Sequence, residues 1–181
     1  MQRPVTPWLV VLALLSLVCA PGCSRVPPLE RTVDARDADE LNRWRIGVGA
    51  ALSPADWKDF DVAIQELKVK AMTSGKPSGG LSRDEQVLAE LQGKTIREAL
   101  ILGWTARRAR LELERGYIQE KHDHDSTLKT REGDRESAAY LSNVLKTESD
   151  RIAQLTAEGA EAERKLALWG APAAADAPPA K

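Results

Sequence analysis

The chain reads as an all-α protein of four to five helices that ends in a long antiparallel helical hairpin of coiled-coil character. Three observations predict this. From about residue 36 to residue 169 the apolar positions recur at three and four and never at a sustained two, the period of helices packed through one stripe. Aromatic residues make up only 4% of the chain, while alanine, leucine, glutamate and arginine dominate, a composition that favours long helices over a sheet. Finally, Ala138, Leu141, Leu145, Glu148, Ile152, Leu155, Gly159, Ala162, Leu166 and Trp169 alternate spacings of 3 and 4 without a slip, which is a heptad seam.

The elements follow in chain order. Residues 24–35 contain Pro27-Pro28 and no periodicity, so they read as an extended tether. A first helix over about Ala38–Leu52 carries Leu41, Trp44, Val48 and Ala51 on one face, with Gly47 and Gly49 weakening its end. Ser53-Pro54 supplies an N-cap and a proline at the first helical position. The helix it starts places Trp57, Phe60, Ile64, Leu67 and Ala71 at spacings of 3, 4, 3 and 4. It stops at the Ser74–Gly80 loop. Ser82-Arg83-Asp84-Glu85 has the capping-box pattern and opens a short helix to Leu91. Thr95 then caps a long helix to roughly Lys121, with one apolar row at Ile96, Leu100, Trp104, Leu111 and Ile118 and a second at Ala99, Leu102, Ala106, Ala109 and Leu113. Two rows imply two helical neighbours. A polar loop at 122–133 leads into the seam helix, and Gly170–Lys181 is an alanine and proline tail that cannot continue it. Glu148 breaks the seam and needs a cation from the facing helix. Of the five tryptophans, Trp44, Trp57, Trp104 and Trp169 lie on apolar stripes and read as packing residues.

The first residues carry the localisation signal. Trp8–Ala20 is a run of thirteen residues without a charge behind a segment whose one charged side chain is Arg3, the pattern of a secretory leader and too short for a spanning helix of about 20 residues. Val18-Cys19-Ala20 offers a general signal-peptidase site, although Pro21 is a poor scissile partner. Gly22-Cys23 instead resembles the end of the lipobox of bacterial lipoproteins, where the cysteine is lipidated and becomes the new N-terminus. With Cys19 in the removed segment, Cys23 is the one thiol left, and a leftover cysteine in an exported chain asks for such a role. The resemblance implies a signal peptide over 1–22, a lipidated N-terminus and tether over 23–35, and a diacylglyceryl plus N-acyl anchor strong enough to hold the helical domain of 36–169 on a membrane. Ser24, where aspartate would signal inner-membrane retention, favours the outer membrane, facing the periplasm.

Charge and motifs exclude several function classes. The chain has 26 basic and 27 acidic residues, and losing Arg3 with the leader leaves a net charge near −2, without the clustered basic excess of a nucleic-acid binder. Gly93-Lys94-Thr95 resembles the end of a phosphate loop, but position 88 is leucine and no strand precedes it, so Thr95 reads as a helix cap. Arg107, Arg108, Arg110 and Arg115 read as a solvated face paired from Arg108 to Glu112 and from Arg110 to Glu114. His122-Asp123-His124-Asp125 holds both histidines of the chain and is the one cluster with metal-ligand chemistry. His122 and His124 are its candidate ligands, converging only if the segment is an extended turn, and a stable site needs further ligands. No catalytic triad or carboxylate pair stands out, and no cofactor motif is present. The expectation is therefore a non-enzymatic envelope lipoprotein that acts as a structural or protein-interaction module. Its partners would be the membrane, through the anchor, and an envelope protein or a second copy of the chain. The alternative is a small metal-binding or sensing lipoprotein that uses the His122–Asp125 cluster.

Overall fold

The computed structural model of the protein describes residues 26–74 and 80–170. Among them a 3-10 turn, Pro28–Glu30, is followed by five α-helices: α1 Ala38–Val48, α2 Pro54–Thr73, α3 Arg83–Leu91, α4 Ile96–Ser126 and α5 Arg135–Leu168. No strand occurs among the described residues, and one isolated antiparallel bridge joins Thr32 to Thr95. The expected leader over 1–22, Cys23, and the residues beyond Gly170 lie outside the described residues.

Each helix begins where a side chain can take up an unpaired backbone amide. Asp37, Ser53 and Asp134 accept from the amides of Glu40, Asp56 and Ser137. Ser82 with Glu85 forms the reciprocal capping box, and Thr95 with Glu98 forms a second. The long helices α4 and α5 form the antiparallel hairpin, whose connection is residues 127–134.

α4 is the central element. Its first half is flanked by α2 on one side and α5 on the other, and the second apolar row records where α2 ends: Ala99 is buried, Leu102 and Ala106 are half-buried, and Ala109 and Leu113 are exposed. α2 crosses at Gly103, where an added Cβ would lie 2.6 Å from the Ala63 carbonyl oxygen and overlap Ala63 itself, so only glycine permits the approach. Around this crossing Phe60, Leu67, Leu91, Ile96 and Leu100 are fully buried. The four described tryptophans share this core in two groups. Trp44 and Trp57 meet Phe60 at 5.7 and 5.8 Å, whereas Trp104 meets Trp169 at 5.9 Å.

Three segments differ from the sequence reading. Residues 31–35 are extended but are not a tether: Val33 and Ala35 are buried in the core. The Val33 amide donates to the Lys94 carbonyl (2.7 Å), the Gly93 amide to Val33 (3.2 Å) and the Ile96 amide to Arg31 (3.0 Å). The strap thus supplies backbone partners to the α3–α4 junction. α1 stops at Val48 rather than Leu52, and the chain turns so that Leu52 is buried. α4 runs on through the expected loop to Ser126, held by Gln119 to Asp123 and Lys121 to Asp125 at four-residue spacing and closed by the Ser126 and Thr127 hydroxyls.

Candidate functional site

Beyond the end of α2 the hairpin continues as a two-helix arm. Its seam is the stripe that the spacing predicts: Glu148, Leu155, Ala162, Leu166 and Trp169 are buried, while Leu141, Leu145, Ile152 and Gly159 are half-buried. Ala138 is exposed. The half-burial follows from having one neighbour instead of two.

The facing stripe on α4 contains a feature that the apolar pattern hides. Three residues after each of the apolar positions Trp104, Leu111 and Ile118 come Arg107, Glu114 and Lys121, also seven residues apart, and each meets an opposite charge on α5. Arg107 Nη2 is 3.2 Å from Glu158 Oε2. Glu114 pairs with Arg151, and Lys121 with the buried Glu148. The cation that Glu148 requires is therefore a lysine from the facing helix. Lys121 also holds Asp125 at 2.7 Å; the hydrogen bonds to Asp125 and Glu148 raise the pKa of its ammonium, and Asp125 is held below the usual carboxylate value chiefly by Lys121.

Where α2 leaves the hairpin, Glu66 sits among the same charges with a side chain only 7% exposed. Arg110 Nε and Nη2 donate to it at 2.8 and 2.7 Å, and Arg107 Nη1 donates at 3.0 Å. Burial pushes the Glu66 carboxyl up, but the hydrogen bonds and charges of Arg110 and Arg107 outweigh it and hold the group below its ordinary value. Of the arginine face expected from sequence to be solvated, Arg115 is exposed, but Arg107 and Arg110 turn inward. Arg110 does reach Glu114, at 3.4 Å, but Arg107 and Arg110 are half-buried bridges between three helices. Nearby, Lys165 of α5 reaches Asp59 of α2 at 2.5 Å.

The candidate metal ligands are not brought together. The segment is helical, and residues two apart on a helix point about 200° apart, so His122 turns into the hairpin while His124 is exposed. Among the described residues no group of three or more His, Cys, Asp or Glu could hold an ion. His122 Nε2 instead lies 3.1 Å from Ser149 Oγ across the seam, a contact between residues 27 apart that helical spacing within one segment does not reveal. Asp123 is 3.6 Å from His122 Nδ1, beyond a hydrogen bond, and that nitrogen is buried without a partner. Ser149 lies inside α5, where backbone amides are committed to the helix ladder, so this contact has neither an oriented base nor oxyanion donors.

The surface of the arm is the remaining feature. Leu113, Tyr117 and Tyr140 are 76%, 67% and 71% exposed. An apolar groove of about 420 Å³ between α2 and α4, lined by Val69, Thr73, Leu102, Ala106, Ala109 and Leu113, leads onto this surface. No described helix is long and apolar enough to cross a membrane. Comparison with known proteins finds no matching family model, no similar curated protein and no similar solved structure.

Proposed function

We propose that the protein is a non-enzymatic envelope lipoprotein whose helical hairpin presents a surface to another protein. The observation that carries the reading is the arm. Its seam is neutralised internally by three ion pairs, yet it projects past the rest of the fold with Leu113, Tyr117 and Tyr140 uncovered. Apolar and tyrosine side chains held in the open on a rigid element are the composition of interface centres. Anchoring at Cys23, supported by Gly22-Cys23 behind the apolar run, would hold that surface at the membrane, facing the periplasm.

The test is site-specific photocrosslinking in intact envelopes. A photoreactive side chain at Tyr117 or Tyr140 should give a discrete adduct, and one at the exposed Ala89 of α3 should not. Adducts absent from both arm positions, or equally strong at Ala89, contradict the reading.

A further inference from the structure

The strap fixes more than the α3–α4 junction. Val26 lies three positions after Cys23, a stretch that spans at most about 10 Å. From Arg31 onward the chain is bonded to the start of α4 through the Arg31, Val33 and Lys94 backbone. A lipidated Cys23 would therefore sit close beneath one end of the molecule. The same end is closed by α5. Arg97 of α4 donates to Glu30 at 2.7 Å and to the Trp169 carbonyl at 3.4 Å, tying the 3-10 turn, the start of α4 and the end of α5 together. The chain leaves this end twice, before Val26 and after Gly170. α4 starts here and runs 31 residues, about 46 Å, to the 127–134 turn.

The chemistry of this end suits a lipid surface. Val26 and Leu168 are exposed apolar side chains on it, and Pro27 and Pro28 are exposed beside Val26. Arg31 and Lys94 flank the Thr32–Thr95 bridge and join no ion pair among the described residues. Apolar side chains that can enter the interface, beside cations that can meet phosphate, are what a peripheral protein presents to a bilayer.

We propose that the end formed by Val26–Arg31, the α3–α4 junction and the close of α5 lies against the phospholipid surface, so that the arm stands away from the bilayer with the 127–134 turn farthest from it. This rests on the reading of Cys23 as the lipid anchor. It gives that reading a geometry: Leu113, Tyr117 and Tyr140 face a partner at a distance from the membrane.

The experiment uses the full acylated protein reconstituted in vesicles of phosphatidylethanolamine and phosphatidylglycerol containing a headgroup-nitroxide lipid. A fluorophore is placed through Leu168→Cys or Thr130→Cys, with the Cys23 thiol already consumed in its diacylglyceryl thioether. Strong quenching at position 168 and none at 130 is expected. Arg31→Glu with Lys94→Glu should cut the quenching at 168 several-fold while the protein stays on the vesicles. Quenching at both labels means that the arm lies along the membrane and overturns the proposal, as does quenching at 130 alone. Quenching at 168 that ignores the double charge reversal removes the cations from the contact. Acylated protein without the charge reversals that fails to float with the vesicles rejects the anchor itself, a different result from an anchored protein in the wrong orientation.

Discussion

Arg107 and Glu158 face each other across the hairpin at 3.2 Å, and seven residues along α4 the contact recurs with its signs exchanged, Glu114 against Arg151. Apolar heptads alone would let α5 slide by one repeat. A slide in one direction sets Arg107 against Arg151; in the other it sets Glu114 against Glu158 and Arg107 against Lys165. Both put like charges in a half-buried seam, so the alternation fixes the register.

Exchanging one pair should separate stability from register. Glu114→Arg alone places a third arginine beside Arg110 and Arg151 and should cost about 1–2 kcal/mol by denaturant unfolding. Adding Arg151→Glu should recover most of the loss. The exchanged hairpin no longer punishes the slide that brings residue 151 opposite Arg107, so spin-label distances between α4 and α5 should broaden or split. A single sharp distance in the double variant would show that the charges do not set the register.

Two helical glycines should respond to alanine in opposite directions. At Gly103 an added methyl collides with Ala63 of α2, and forcing the helices apart should cost about 1–3 kcal/mol. At Gly159 an added Cβ meets nothing within 4 Å, and removing a glycine from a helix interior should stabilise by about 0.5–1 kcal/mol. Melting temperatures of the two variants check this; a shift of the same sign in both would contradict the described crossing.

How far these features were legible in sequence differs from one to the next. The α5 seam was plain because its apolar residues keep the 3 and 4 rhythm, and the rhythm also marked Glu148 as a position in need of a cation. The matching rhythm on α4 was hidden because Arg107, Glu114 and Lys121 are charged, although their seven-residue spacing was there to be read. Glu66 gave no signal of its own. Its burial is imposed by arginines 41 and 44 residues away, and local pattern carries no such information. The strap was missed for a similar reason: Val33 and Ala35 are buried by backbone pairing with residues near 94, not by periodicity.

Acid should loosen the junction between α2 and the arm. The Glu66 carboxyl is held below its unfolded value of 4.5 by Arg110 and Arg107, so its contribution is complete above about that pH and is lost as pH falls through the lower folded value. Stability measured by urea unfolding should therefore decline below about pH 4.5. Glu66→Gln should lower stability at pH 7 by about 2 kcal/mol, discounted from a fully buried pair because both arginines are partly exposed, and should flatten the acid limb. An unchanged acid limb would assign the pH dependence to other groups.

Glu148 should be replaceable. Its Oε2 is buried without a hydrogen bond, and Lys121 retains Asp125 at 2.7 Å when the glutamate is gone. Glu148→Leu restores an apolar seam position and should be neutral or stabilising by about 1 kcal/mol, read as the unfolding midpoint. Destabilisation beyond that range would mean that the Lys121 ammonium depends on Glu148 more than on Asp125.

The central claim, an interaction arm held at a membrane through Cys23, is tested most directly by the mass of the N-terminal peptide of the protein recovered from membranes. The account predicts a peptide that begins at Cys23 and carries a diacylglyceryl thioether and an amide-linked acyl chain, with Cys23→Ser leaving an unacylated protein that is soluble or keeps residues 1–22. An unmodified peptide that begins at Pro21, or a membrane-bound Cys23→Ser protein of the parent's mature length, would contradict it.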